Sequence, residues 1–353
     1  MTDICSHNID NLVSLISRAG KIVIVSHMKP DGDALGSSIG MYHFLGMMGK
    51  SERKVVLPHR YPSYLDYLVD KEMAKDVLIH EDKTAAAEMA IMESDLIICL
   101  DFNAFHRTDK LETLLSESKA AKILIDHHLN PDRERFNIVF SETEVSSASE
   151  LVYQVLMLTP AVMGNAGNLP KKTAVALMTG MTTDTNNFAN SVYPSTLRMA
   201  SELIEAGVDR DFILSSLYNQ YKESRMRLMG HVLKDLMVIT PDGVAYIVLD
   251  RKVLQEYHIE EGDTEGFVNL PLGIAKVRMS LLLKEDGDKV RVSIRSKKGI
   301  SANLCSRLHF NGGGHENAAG GRLYIPKDIK SIEEAAAYIE RHTHIFMTTE
   351  NEK

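Results

Sequence analysis

Four short runs of uninterrupted aliphatic side chains constrain this chain more than any other feature. They are Ile22-Val23-Ile24-Val25, Val55-Val56-Leu57, Leu96-Ile97-Ile98-Cys99-Leu100 and Ile123-Leu124-Ile125. Each is too short for a buried helix. None alternates polar with apolar, so both faces of each strand must meet apolar neighbours. Helical patterns separate them, including Ala34 to Met48 with several small residues at its start. Another, Thr173 to Gly180, leads toward a polar Thr182-Thr183-Asp184 loop. Buried strands alternating with helices specify an α/β fold, a parallel sheet with helices on both faces.

The pattern changes further along. Residues 195–238 are helical in character, with charges spread through Tyr221 to Arg227 and no strand signal, as expected of a connector. After Pro241-Asp242-Gly243, strands are expected at Val244 to Leu249, Ala275 to Leu283 and Val290 to Arg295, the last two joined by a hairpin at Asp286-Gly287-Asp288. A Gly-rich loop at 312–314 and an amphipathic helix near 331–341 follow. At 353 residues the chain has room for two cores. The expected organisation is a larger α/β domain at 1–194, a helical connector at 195–238 and a smaller mixed α/β domain at 239–347.

The aliphatic runs end in ionisable groups. Ser26-His27-Met28-Lys29-Pro30-Asp31-Gly32-Asp33 follows the first, Asp101 the third and Asp126-His127-His128 the fourth. Helix capping explains one carboxylate after the first run, but not two with a histidine. Asp101 alone could start an Asx turn, Arg107 could form a surface ion pair, and Asp184 alone is one aspartate in a polar loop. Together they mean more, because the carboxyl ends of parallel strands share one edge of the sheet. Aspartates crowded there repel unless a cation neutralises them. His27, Asp31, Asp33, Asp101, His127 and Asp184 supply six nitrogen and oxygen donors, enough for two divalent ions and too oxygen-rich for structural zinc. Such donors suit manganese, and two ions about 4 Å apart can drive displacement at phosphorus.

A further cluster is Asn311-Gly312-Gly313-Gly314-His315. Consecutive glycines let backbone amides approach an anion, although a flexible loop needs nothing more than the glycines themselves. Upstream, Arg291 and Arg295 share one strand face. Residues 276–298 hold eight Lys/Arg against three Asp/Glu, a local excess of five positive charges in a chain of net charge −8. That overall charge argues against long duplex nucleic acid as a partner and leaves room for a small phosphate ester. Cys5, Cys99 and Cys305 form neither a disulfide framework nor a zinc pattern, and Cys99 is expected as a packed thiol. No apolar run reaches the ~18 residues that span a membrane, and the first residues lack the features of a signal peptide, so a cytoplasmic location is expected.

These clusters, in this order, resemble the DHH phosphoesterase superfamily with its DHH-associated C-terminal domain. Among its branches the chain is most similar to the bacterial oligoribonuclease and 3′-phosphoadenosine-5′-phosphate (pAp) phosphatase group. The resemblance implies a catalytic domain built on a Rossmann-like parallel sheet, and manganese-dependent hydrolysis of short oligoribonucleotides to mononucleotides, with pAp as a second substrate and two ions as cofactors. His27, Asp31 and Asp101 would hold one ion; Asp33, Asp101, His127 and Asp184 would hold the other. Asp126 would orient His127, and His128 would meet the scissile phosphate or leaving group. Arg107, Arg295, Ser296, Gly312, Gly313, Gly314 and His315 would bind substrate. One departure is Asn186, where relatives often carry glycine. The alternatives within the superfamily are hydrolysis of cyclic di-AMP or its linear product pApA; outside catalysis, an RNA-binding module. A homodimer is compatible with each.

Overall fold

The structure, a computed structural model, describes residues 6–218, 222–260 and 262–351. The chain forms two compact units, 1–220 and 221–353. In the first, the aliphatic runs become β1 (Lys21–Val25), β2 (Glu52–Leu57), β4 (Leu96–Leu100) and β5 (Ala121–Asp126), joined by the shorter β3 (Val77–Ile79) and β6 (Ile138–Ser141). All pair in parallel, in the order β3-β2-β1-β4-β5-β6. The two faces divide residue by residue. Ile22, Ile24, Ile98, Leu100, Ile123 and Ile125 share a core with α1 (Ser6–Arg18), α2 (Gly32–Met47), α5 (Ala148–Met157) and α6 (Lys171–Asp184). Val23, Val25, Ile97, Cys99 and Leu124 face α3 (Thr84–Met92) and α4 (Leu111–Glu117). Cys99 is thus a fully buried packed thiol, as its surroundings in sequence suggested.

The strand order reverses between β1 and β4, and a crevice opens at the carboxyl ends of such a pair. Beside it, α2 and α6 pack almost backbone to backbone. A Cβ on Gly36 would lie 2.6 Å from the Ala176 carbonyl oxygen. One on Gly180 would overlap Ser149 Oγ and stand 2.8 Å from Asp33 Oδ1. Helix α6 also runs further than expected: Asp184 is its last residue rather than part of a loop. The hydroxyls of Thr182 and Thr185 donate to the carbonyls of Met178 and Met181, four residues back, so these polar residues continue the helix.

The segment 195–238 is not a free-standing connector. Met199 and Leu203 of α7 (Pro194–Glu205) and Ile213 and Leu217 of α8 (Arg210–Tyr218) belong to the first unit's core. Leu228 of α9 (Glu223–His231) and Val232 pack with Ile247, Leu249 and Phe267 of the second unit. Apolar faces, invisible as boundaries in a charge-rich stretch, decide the division.

The second unit is a mixed sheet of β7 (Val238–Ile239), β8 (Val244–Leu249), β9 (Met279–Asp286), β10 (Lys289–Ser296), β11 (Gly313–Gly314) and β12 (Ala318–Tyr324). Its order is β11-β12-β10-β9-β8-β7, with only β8 and β9 parallel. Asp286 pairs with Lys289 across a two-residue turn, the expected hairpin. Strand β9 starts at Met279 rather than Ala275, because Lys297 Nζ donates to the carbonyls of Ile274 and Ala275 and holds that approach as a loop. Helix α10 (Arg251–Glu256) follows β8, and α11 (Ala302–His309) precedes the glycine loop. The last helix, α12, spans Ala335–Asn351, starting later and running further than expected. Among the described residues, no helix is long and apolar enough to cross a membrane.

Candidate metal centre

Strand β1 delivers His27 to the crevice. Its Nδ1–H donates to the Met28 carbonyl at 2.9 Å, which turns Nε2 toward two carboxylates: Asp101 Oδ2 at 3.3 Å and Asp31 Oδ1 at 3.9 Å. Asp31 also caps α2, accepting from the N–H groups of Asp33 and Ala34. Capping and ligation are therefore not alternatives at this residue, because a carboxylate has lone pairs for both. Asp101 follows β4 in the left-handed region, φ +62°, and its N–H donates to the Ile125 carbonyl. A buried aspartate held in that conformation is strained, as functional residues often are. Its two oxygens straddle two histidines: Oδ2 faces His27, and Oδ1 lies 3.5 Å from His127 Nε2.

His127 stands just beyond β5. Its Nε2 is also 3.7 Å from Asp184 Oδ2 and 4.0 Å from Asp33 Oδ2. Asp33 is almost fully buried and accepts from the first turn of α5, with Oδ2 taking Ala148 N–H at 2.6 Å and Oδ1 taking Ser149 N–H at 2.8 Å. Three overlapping donor sets result: His27, Asp31 and Asp101; Asp33, His127 and Asp184; and Asp101, His127 and His128. Donor atoms each about 2.1 Å from one ion lie roughly 3–4 Å apart. The 3.3–4.0 Å separations here match that spacing, so the residues fit divalent ions.

The charges are correspondingly perturbed. Burial opposes the charged form of His27, but hydrogen bonding to Asp101 and the charges of Asp101 and Asp31 outweigh it and raise the pKa to about 9. For His127 the same contest, with Asp184 and Asp33 added, ends at about 10. Asp101 is drawn well below the carboxylate range, since its two histidines outweigh its burial. Asp33 is pushed well above that range by burial and then by the charges of Asp101 and Asp184. Asp184 rises to about 7, by desolvation first and then by Asp31 and Asp101, against the pull of His127. With 32% of its side chain accessible, Asp184 still meets water, so repulsion between carboxylates is the more secure cause there.

Asp126 ends β5, fully buried. Its oxygens accept from His128, one from Nδ1 at 2.7 Å and one from the backbone N–H at 3.1 Å. These bonds go to His128, one residue beyond the His127 that the resemblance would have it orient. They make Nδ1 the donor to Asp126 and fix the orientation of the ring. Arg107 belongs to the same edge, since its carbonyl accepts from Met28 N–H at 2.7 Å and fastens the loop after β4 to the loop after β1. Asn186 adopts φ +47°, a left-handed position that asparagine tolerates without glycine.

In the second unit, Arg295 lies on the half-buried outer face of β10, where burial lowers its guanidinium pKa. Ser296 is turned inward, donating to the Ile300 carbonyl and accepting from Asn317. The glycine loop is less open than its composition suggests. The N–H groups of Gly312, Gly314 and His315 donate to the Ser306 carbonyl, Asn303 Oδ1 and the Ala318 carbonyl. Gly312 is required for packing, because a Cβ there would overlap the Gly320 carbonyl oxygen. The His315 side chain is exposed.

Sequence reasoning missed the first turn of α5, which grips Asp33. Its signal was present as Ser147 followed by Glu150, the Ser-x-x-Glu pattern of a helix start. It also missed His59, whose Nδ1 accepts from Lys29 N–H and whose Nε2 faces Asp109.

A parallel sheet whose switch-point crevice gathers four aspartates and two histidines is built as a metal site for phosphoester chemistry. Residues 21–181 match the DHH family N-terminal domain and residues 243–341 the DHHA1 domain, so the chain belongs to the DHH family and is a hydrolase acting on phosphoester bonds. It is similar to an exopolyphosphatase-related protein from Bacteroides fragilis, with 38% identity and a TM-score of 0.90 over 99% of this chain and 100% of that one. It is 29% identical to the bifunctional oligoribonuclease and PAP phosphatase NrnA of Thermus thermophilus, over 86% of this chain and 84% of the relative. The cyclic-di-AMP phosphodiesterase GdpP of Geobacillus thermodenitrificans is 27% identical over 88% of this chain but only 46% of its own length.

Proposed function

We propose that this chain is a cytoplasmic, manganese-dependent phosphodiesterase that hydrolyses short oligoribonucleotides to mononucleotides and also removes the 3′-phosphate of pAp. The observation that carries the reading is Asp101, a buried carboxylate with one oxygen toward His27 and the other toward His127. His27, Asp31 and Asp101 would hold one ion, and Asp33, Asp101, His127 and Asp184 the other. Ions bound there would supply charge neutralisation at phosphorus and an acidified water. The remaining roles belong to side chains. Asp126 fixes the ring of His128, whose Nε2 meets the phosphate or the leaving oxygen. Arg107, Arg295 and His315 bind phosphate through their side chains, while Ser296 and Gly312 to Gly314 shape the loop that presents His315. The NrnA relative supports this substrate class, because the likeness extends over 84% of its length.

Hydrolysis of cyclic di-AMP or pApA is the second reading, favoured by the likeness to GdpP. An RNA-binding module would not need the complete donor set. The deciding experiment supplies manganese to metal-depleted protein with a dinucleotide, a pentanucleotide, pAp, cyclic di-AMP and inorganic polyphosphate. The two named substrate types should turn over fastest, and Asp101→Ala should lose hydrolysis of all of them. Near-normal turnover by Asp101→Ala would remove the two-ion reading, and preference for cyclic di-AMP or polyphosphate would replace the substrate class.

A further inference from the structure

Glu150 is a buried carboxylate that pairs with no cation among the described residues. It lies in the first turn of α5 and is fully inaccessible, and its Oε2 accepts from Ser146 N–H at 2.9 Å, Ser146 Oγ at 2.6 Å and Thr196 Oγ1 at 2.7 Å. Its Oε1 accepts from Gln154 Nε2 at 3.0 Å. Four donors thus surround it, and two of them, both on Ser146, fix what lies just before the helix. Ser147 caps the same turn by accepting from Glu150 N–H. The turn ends in the two N–H groups that hold both oxygens of Asp33. Thr196 brings in α7, which therefore braces the metal-side turn as well as filling the core.

From this chain of contacts we infer that Glu150 is a positioning residue for Asp33. It sets the Ser146–Ser147 turn so that Ala148 and Ser149 aim their N–H groups at the carboxylate. Because both Asp33 oxygens are held this way, only lone pairs facing the crevice remain for an ion, in one direction. Among the described residues Glu150 makes no hydrogen bond or ion pair with the donor set itself, so its influence runs through Asp33 to the ion shared with His127 and Asp184, and not to the ion of His27 and Asp31. Helix α6 borders the other side of Asp33, where a Cβ on Gly180 would stand 2.8 Å from Oδ1.

The inference rests on the two-ion reading, and the variants separate the two. Glu150→Gln keeps the geometry: its amide oxygen can take the Oε2 position and its three bonds, while Gln154 rotates its own amide to face the new nitrogen. Glu150→Ala removes the brace. Manganese titration of the metal-depleted full chain should show one of two ions weakened about 10–100-fold in Glu150→Ala, the other unchanged, and both retained in Glu150→Gln. Ser146→Ala, which removes a single bond, should weaken the same ion by a smaller factor and guards against failure of the alanine variant to fold. Both ions unchanged in Glu150→Ala, or the same loss in Glu150→Gln, would overturn the inference. If the parent chain binds fewer than two ions, the two-ion reading falls. Amide exchange without metal then decides the positioning role: faster exchange at residues 146–149 in Glu150→Ala but not Glu150→Gln supports it, and equal protection overturns it.

Discussion

Manganese binding should expel protons, and the number can be worked out from the two histidines. Without an ion, His27 and His127 are held protonated up to about 9 and about 10, chiefly because Asp101 outweighs their burial. Neither can ligate until its proton leaves. Each pH unit below those values weakens the corresponding ion about tenfold, or about 1.4 kcal/mol. Raising the pH from 7 to 8 should therefore tighten the His27 ion about tenfold and the His127 ion at least tenfold, with plateaus near pH 9 for the His27 ion and pH 10 for the His127 ion. Titration calorimetry at pH 7 in two buffers of different ionisation enthalpy should report at least two protons released per pair of ions, since Asp184, raised to about 7, adds to the count of the two histidines. The same shifts fix the stability of the metal-free protein. A histidine raised on folding stabilises fully below its unfolded pKa of about 6.5 and loses that contribution as pH rises through its folded pKa. The metal-free melting temperature should therefore fall between pH 7 and pH 10, and manganese should reverse the trend. Release of less than one proton in total, or affinity that is flat from pH 7 to 9, would refute the reasoning.

Gly180→Ala should destabilise the first unit by about 1–3 kcal/mol, because the new Cβ must displace Ser149 Oγ and press on Asp33 Oδ1. Thermal melting of the metal-depleted protein would measure this, and an unchanged melting temperature would show that α6 yields more easily than its packing implies. His315→Ala should raise KM more than it lowers kcat in steady-state hydrolysis of a dinucleotide, and an unchanged KM would remove its assigned role.

Much of the catalytic unit could be read in advance because its signals are local. A strand buried on both faces must be aliphatic throughout, so Ile22 to Val25 and Leu96 to Leu100 identified themselves, and the polar residues after them could only lie at the sheet's edge. What escaped depends on contacts distant in sequence. Thr182 and Thr185 look like loop formers until their hydroxyls find carbonyls inside a helix. Asp33 looks like a cap for its own helix, yet it caps α5, more than a hundred residues away. Ala318 to Gly321 lacks every strand-forming side chain, and its place in the sheet comes from pairing with Val292 to Arg295 of β10. The helices of 195–238 carry no boundary in their charge pattern, and only the cores that receive Met199 and Leu228 reveal where the units divide.

The spread of the donors along the chain also bears on how the first unit folds. Positions 27, 31 and 33 come early, 101 and 127 in the middle, and 184 at the end of α6. No local segment carries a complete set, and the set forms only when β1, β4 and β5 are in register and α6 has docked on α2. Contacts of such long range close late in folding. An ion therefore has little to grip in a half-folded chain and cannot act as a nucleus around which the sheet condenses. Metal capture is then a final step, a seal on a completed domain, and a chelator present during refolding should leave the sheet and its helices free to assemble.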